Sequence, residues 1–235
     1  MTDTTSTTTR EMLRARGKKR SNFRRTAAIS GIVTVILGIA TGVMAGTVPV
    51  LGSSATDIAA YYATNTGAHR LAVVISALLA IPITIFLVGV YRSLVTEDNS
   101  QRSAWATVFL YGAIMASATA GLREGLYAIA VRHGGTGLEP GTLQVLNDGS
   151  QIVGATLGAW LAVTIGSVAV ATFQSPTRAR WYAWFCTVVA TLGILSVIDT
   201  VSLTTGGIFA MLGFAGFVLW VLITGIVMYR RPLMS

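Results

Sequence analysis

Three ionisable residues lie within long apolar stretches of the sequence: Arg123, Glu124 and Asp199. A charged side chain is costly inside a bilayer, so residues of this kind are paired, face water or carry a function. A carboxylate at such a position can exchange a proton or bind a cation, whereas a guanidinium can hold an anionic group. Under this functional hypothesis, the three residues line a polar pocket that opens at the outer face of a helix bundle.

The structural alternative is a buried network in which the same residues fix the register of the helices. We expect Arg123 to pair with Asp199 across two helices, because an isolated charge in hydrocarbon would otherwise be neutralised or exposed to water. Glu124 lies about 100° around the helix axis from Arg123, so one partner is not expected to serve both. The polar neighbours that could join either arrangement are Tyr127, Asp148, Gln151 and Ser196.

The sequence lacks the residue patterns of the common membrane enzymes. It has no His-Glu-x-x-His motif and no Walker-type phosphate loop, and its single cysteine, Cys186, cannot form an intramolecular disulfide. The two histidines, His69 and His133, are predicted to lie in loops at the outer surface. We therefore expect no metal, no cofactor and no enzymatic activity. An intramembrane enzyme that uses glutamate chemistry is the least favoured alternative.

The composition places the chain in a membrane class. Of its 235 residues, 53% are apolar and 11% are charged, whereas soluble domains carry roughly one quarter charged residues. The charges are also segregated, and a spanning helix needs about 20 apolar residues. The segments that meet this need are 27–47, 70–91, 104–131, 150–173, 181–202 and 207–229. The sequence thus predicts an all-α integral membrane bundle of six transmembrane helices over residues 27–231.

The distribution of Lys and Arg predicts the orientation of the bundle. Fourteen of these residues fall on the side of the two termini and two, Arg70 and Arg132, fall on the other side. Because basic residues are retained in the cytoplasm, we expect both termini, including residues 232–235, to be cytoplasmic. The excess of Arg over Lys and the abundance of Ala, Gly, Val and Thr are typical of a high-GC bacterium, so we expect a bacterial plasma (inner) membrane.

The N-terminal residues 1–26 form a basic tail that we expect to be disordered, although residues 10–25 could also form a short helix on the membrane. Basic residues at a membrane surface attract anionic lipid, and we expect this contact rather than nucleic-acid binding. The residues predicted to make it are Arg14, Arg16, Lys18, Lys19, Arg20, Arg24 and Arg25.

Two of the predicted outer loops carry helix signals. Ser54 and Asp57 have the spacing of a capping box before a short helix. Pro140 stands where a first helical turn could begin and lead straight into the fourth spanning helix. The loop 202–206 is short enough to make the last two helices an antiparallel hairpin.

Small residues at four-residue spacing predict where helices approach closely, either within one bundle or between copies of the chain. Such stripes occur in the first, third and fourth spans: Gly38, Gly42 and Gly46; Gly112, Ala116 and Ala120; Gly154, Gly158, Ala162 and Gly166.

The stretches ISGIVTVILGIATGVMAG (29–46) and DIAAYYATNTGAHRLAVVISALLAIPITIFLVGVYRSL (57–94) resemble function-unknown bacterial integral membrane proteins of six or seven helices. The resemblance covers about residues 27–200. It implies a membrane location, and it implies no activity and no functional residue.

Two functional hypotheses from different classes follow. The favoured one is an accessory or scaffold subunit that acts through helix or tail contacts with a membrane-protein partner. The alternative is a small-solute or ion transporter that uses Arg123, Glu124 and Asp199. If the three residues are structural, removing one partner leaves a buried charge and lowers stability, whereas a transporter loses transport and keeps its fold.

Overall fold

The structure, a computed structural model, describes residues 4–95, 100–134, 138–175, 180–200 and 208–230, and their side chains from residue 22 onward, except those of residues 100–103 and 200. Within these ranges all regular secondary structure is helical, and there is no strand. The helices are α1 (Thr4–Ala45), α2 (Ala55–Ala63), α3 (Thr66–Val95), α4 (Ser100–His133), α5 (Pro140–Phe173), α6 (Arg180–Leu195) and α7 (Ile208–Arg230), with a 3-10 helix at Ser196–Thr200 between the last two.

Six of these elements are long and apolar enough to cross a membrane, which confirms the predicted number of spans. Apolar side chains dominate each of them over at least 18 residues, enough to cover most of a hydrocarbon layer about 30 Å thick. The spans are Asn22–Ala45, Thr66–Val95, Ala104–His133, Pro140–Phe173, Arg180–Asp199 and Ile208–Arg230. The predicted loop 202–206 lies outside the described residues.

Helix α1 begins at Thr4, whereas disorder was expected for residues 1–26. Once the spanning part of a helix exists, each further residue adds a hydrogen bond without a new nucleation cost. Arg, Lys, Glu, Met and Leu are good helix formers, so Gly17 alone does not end the helix. The backbone of residues 4–26 is therefore a helical extension of the first span.

Helix α2 confirms the predicted capping signal. The Ser54 hydroxyl accepts a hydrogen bond from the Asp57 backbone N–H at 3.1 Å and donates one to the Asp57 carboxylate at 2.6 Å. The predicted helix start at Pro140 is also confirmed, because α5 begins at this residue and continues without interruption to Phe173. Both elements place polar side chains at the same end of the bundle.

The spanning helices form a closed ring. In order around the ring, α1, α3, α4, α5, α6 and α7 each contact the next, and α7 contacts α1. We call the end that carries α2 the α2 end, and the opposite end, where the first span begins and α7 finishes, the terminal end. Buried apolar side chains from different helices fill the ring, among them Phe86, Phe109, Ile165 and Trp220.

The small-residue stripes have different roles. On α5, a Cβ added at Gly158 would collide with the Ser196 hydroxyl and lie 3.0 Å from the Gly193 carbonyl oxygen, so this stripe is a tight contact with α6. Gly42 on α1 and Gly46, the residue after the end of α1, have no atom within 4 Å of an added Cβ. The prediction of a contact face within the bundle is therefore wrong at these two glycines, which are both exposed and have no neighbouring helix packed against them.

Candidate functional site

Arg123 and Glu124 form an ion pair on α4. The Arg123 Nη1 lies 3.3 Å from the Glu124 Oε1, and the side chains are 38% and 33% exposed. The Arg123 side chain packs against α5 at Gly154, where an added Cβ would lie 3.1 Å from the Arg123 Nε. A glycine at this position of α5 thus makes room for the guanidinium.

Asp199 does not pair with Arg123 as expected. Its Oδ2 instead accepts a hydrogen bond of 2.6 Å from the Ala210 backbone N–H, in the first turn of α7. The unpaired N–H groups and the dipole of a helix N-terminus both favour a carboxylate there. The Asp199 Oδ1 is buried and has no partner in the described part of the chain. Asp199 therefore holds the start of α7 against the end of α6.

His69 was expected in a surface loop, and this expectation is wrong. The residue lies in the first turn of α3 and is 3% exposed. Its Nδ1 lies 3.1 Å from the Tyr127 hydroxyl of α4, and its Nε2 lies 3.2 Å from the Tyr61 carbonyl oxygen of α2. Because a carbonyl only accepts, Nε2 donates to the Tyr61 oxygen, and Nδ1 shares a hydrogen bond with the Tyr127 hydroxyl. The imidazole thus connects three helices.

The predicted start of this span at Arg70 explains the error. His69 directly precedes that start and was therefore assigned to the loop, yet α3 begins at Thr66. The Asn65 carbonyl oxygen accepts from the backbone N–H groups of Ala68 and His69, which starts the helix one turn earlier. A sharp turn at Asn65, whose φ of 52° is left-handed, separates α2 from α3. Asn tolerates this conformation, and that preference was the available signal.

Polar side chains of α5 hold the segment that joins α1 to α2. Asn147 and Gln151 donate to the Pro49 carbonyl oxygen, each at 3.3 Å, and Gln144 donates to the Ser53 carbonyl oxygen at 3.1 Å. These bonds satisfy backbone acceptors that have no helical partner. Sequence reasoning singled out Gln151 as a polar neighbour but missed Asn147 and Gln144.

Two tyrosines of α2 complete this polar layer. The Tyr62 hydroxyl donates to the Asn147 Oδ1 at 3.3 Å, and the Tyr61 hydroxyl donates to the Ala45 carbonyl oxygen at 2.8 Å. Burial raises the pKa of both phenols above the usual value, because the phenolate would lose its hydration. Both side chains are therefore neutral hydrogen-bond donors.

An open groove of about 580 Å³ lies at the α2 end, between the end of α1, the segment after it, α2 and the start of α3. Asp57, Tyr61 and His69 contribute to its walls. Neither Arg123 nor Glu124 borders this groove. The groove is therefore separate from the ion pair on α4, and the predicted polar trio does not form one pocket around it.

Among the described side chains, no group of three or more His, Cys, Asp and Glu residues is close enough together to hold a metal ion. Cys186 is a buried free thiol on α6, one turn from Tyr182, whose hydroxyl shares a hydrogen bond of 2.7 Å with Thr224. Both features belong to the packed contact between α6 and α7.

No protein-family model, curated protein or solved structure matches this chain. The resemblance to bacterial six- or seven-helix membrane proteins therefore stays a prediction. What is established is a polytopic helical bundle suited to a lipid bilayer. Its role has to be argued from the contacts of its polar residues.

Proposed function

We propose that this polytopic membrane protein is a non-enzymatic accessory or scaffold subunit that acts through contacts with a partner in the membrane. The observation that carries the proposal is the way in which its polar residues are used. His69 connects three helices, Asp199 caps α7, and Asn147 binds the Pro49 carbonyl. Each of these groups is engaged in a contact between elements of the bundle, which supports a structural role for them.

The packing of the ring supports the same proposal. Phe86 of α3 and Trp220 of α7 meet edge to face, with ring centroids 5.6 Å apart, and both are fully buried. Phe109 of α4 and Ile165 of α5 belong to the same apolar core. A carrier must open such a core alternately toward each side, which would break many contacts at once.

The orientation of the subunit is part of the proposal. Six spans put both termini on one side, and the fourteen Lys and Arg residues on that side support a cytoplasmic location for the termini, in a protein that we propose to reside in a bacterial plasma membrane. The basic residues from Arg14 to Arg25 then lie at the inner leaflet. They would meet anionic lipid there or the acidic surface of a partner.

A transporter is the second candidate, and one observation favours it. The pair of Arg123 and Glu124 is about one third exposed, so its charges are not locked in the core. A carrier that used this pair would lose transport in Glu124→Gln while it kept its fold. The accessory hypothesis predicts no such loss of transport.

The test is purification of the tagged full chain from native membranes in mild detergent, followed by protein identification and stoichiometry. A membrane protein recovered near one to one supports the accessory role. The variant Gly42→Leu, which changes an open face of α1, and the variant Val145→Ala, at an exposed site of α5, then show which face the partner contacts. Recovery of the chain alone, together with uptake activity in proteoliposomes that Glu124→Gln abolishes, would establish the transporter instead.

A further inference from the structure

The open groove at the α2 end has the size of a small-molecule site. Its volume of about 580 Å³ lies within the range of roughly 300–1,000 Å³ that is typical of ligand pockets. Apolar residues such as Val43 and Pro49 share its walls with polar residues such as Asp57 and Asn65. This mixture suits a ligand that carries one polar group on an apolar body.

The walls of the groove are held by hydrogen bonds from the rest of the bundle. The carbonyl oxygen of Ala45 accepts from the Tyr61 hydroxyl at 2.8 Å, which fixes the end of α1 against α2. The carbonyl oxygen of Pro49 accepts from Asn147 and Gln151 of α5. Because these walls are already ordered, a ligand that enters the groove pays little to organise them.

The groove carries a negative charge. Asp57, in the first turn of α2, is exposed and supplies a carboxylate to the wall. Its Oδ2 accepts from the Ser54 hydroxyl at 2.6 Å, which leaves Oδ1 for a ligand. Among the described residues that line the groove there is no Lys or Arg. The charge of the lining therefore favours a cation.

The end of α1 strengthens this preference. Val43, Met44 and Ala45 belong to the last turn of α1, and all three line the groove. The carbonyl groups of a last helical turn lack partners within the helix and carry the negative end of its dipole. A cation in the groove would therefore find oxygen acceptors on both α1 and α2.

An organic ammonium ion suits this lining better than a metal ion. A calcium ion takes about six to eight oxygen ligands, whereas the described side chains form no cluster of three or more His, Cys, Asp and Glu residues. A bare ion would also leave most of the groove unfilled. Tyr61 lines the groove as well, and aromatic rings attract ammonium groups through their faces.

We propose that this groove binds a small organic ammonium ion. The charged nitrogen donates to the Asp57 carboxylate and to carbonyl oxygens at the end of α1, and the apolar body lies against Val43 and Pro49. A primary ammonium has three donors for these acceptors. The site does not rest on the accessory role, and in the proposed orientation it opens to the outside of the cell.

The experiment measures binding to the full chain in a neutral detergent by isothermal titration calorimetry, with the detergent solution as the blank. The probes share one skeleton and differ in charge: phenethylamine, phenethyl alcohol and phenylacetate. We expect phenethylamine to bind at least about tenfold more tightly than the alcohol, the gain from one charge-assisted hydrogen bond. Equal affinities, or tighter binding of phenylacetate, would overturn the proposal.

Asp57→Asn tests the carboxylate. The amide removes the charge but keeps an oxygen acceptor for the Ser54 hydroxyl, so the start of α2 keeps its hydrogen bond. The affinity for phenethylamine should fall about tenfold. Glu139→Gln removes an exposed carboxylate outside the groove and should keep the affinity within about twofold. Equal losses in the two variants would overturn the defined site.

A second pair of variants tests the location without a change of charge. Ala60 and Ala63 are both exposed on α2, and of the two only Ala60 lines the groove. Ala60→Trp should fill the groove and abolish the binding of phenethylamine, whereas Ala63→Trp should leave it unchanged. Thermal unfolding without the amine shows whether each variant is folded. Wild-type binding by a folded Ala60→Trp variant would overturn the location, and this pair decides even if Asp57→Asn does not fold.

Calcium chloride, titrated in the same way, tests the metal alternative. We expect no heat of binding beyond that of the detergent blank. Calcium binding that Asp57→Asn abolishes would assign the groove to a metal ion and overturn the organic ligand. None of these outcomes bears on the partner recovered from native membranes, which tests the accessory role.

Discussion

His69 of α3 and Tyr127 of α4 share a hydrogen bond of 3.1 Å that joins two spanning helices near the α2 end. The histidine is 3% exposed and its other ring nitrogen is bound to the Tyr61 carbonyl. A histidine with both nitrogens bound in this way holds helices together. The first prediction tests that role directly.

We expect His69→Ala to lower the free energy of unfolding by about 1–3 kcal/mol, because it leaves two polar groups without a partner. Tyr127→Phe should cost about 1 kcal/mol, and the double variant should cost less than the sum. Reversible unfolding in mixed micelles measures all three. Tyr111→Phe, an exposed tyrosine on the same helix, is the control. Strict additivity of the two substitutions would contradict the contact.

The cap of α7 yields a second prediction. Asp199→Ala should lower the free energy of unfolding by about 1–2 kcal/mol, because the Ala210 N–H loses its acceptor. Asp199→Asn keeps an oxygen acceptor and should cost less. Glu139→Ala is a matched control, since Glu139 is the residue before α5 and its side chain makes no capping bond. Equal effects of Asp199→Ala and Glu139→Ala would rule out a capping role.

A third prediction separates the two glycine stripes. Gly158→Ala should destabilise the bundle by about 1–3 kcal/mol, because the new methyl group meets Ser196 and the Gly193 backbone. Gly42→Ala has open space and should be neutral or stabilising by up to about 1 kcal/mol. Thermal unfolding of the purified variants compares them. A large loss in Gly42→Ala would show that α1 contacts a second chain at this face.

The ion pair on α4 should matter little for stability. Glu124→Gln should change the free energy of unfolding by less than about 1 kcal/mol, because the pair with Arg123 is partly solvated. The same variant provides the transport test, so its fold must be checked in the same preparation. A loss above about 3 kcal/mol would mean that the pair behaves as a buried one.

The orientation can be tested with single cysteines. In a Cys186→Ala background, Thr56→Cys on α2 and Val145→Cys on α5 should react with a membrane-impermeant maleimide added to intact cells. Tags at both termini should be accessible only after the membrane is opened. The reverse pattern would contradict the orientation predicted from Lys and Arg while leaving the six spans in place.

The spans were predictable because they depend on local composition. An apolar run such as 207–229 must be a helix in hydrocarbon, where backbone groups find partners only within the segment, and α7 runs from Ile208 to Arg230. The same local logic holds at Ser54 and Pro140, whose roles need only their sequence neighbours. Polar residues at the ends of spans were harder to assign, because they interrupt the apolar run that marks a span. His69 was assigned to a loop for this reason.

By itself, the sequence determined the class, the number of spans and the local helix signals, since these follow from hydropathy and short-range hydrogen bonding. Only the tertiary structure decided which polar groups meet. Arg123 pairs with its neighbour rather than with Asp199, and His69 reaches Tyr127 on another helix. Such contacts depend on the height and rotation of each helix relative to the next. Close packing of residues such as Gly158 against Gly193 determines both, and a single sequence does not encode them as a local pattern.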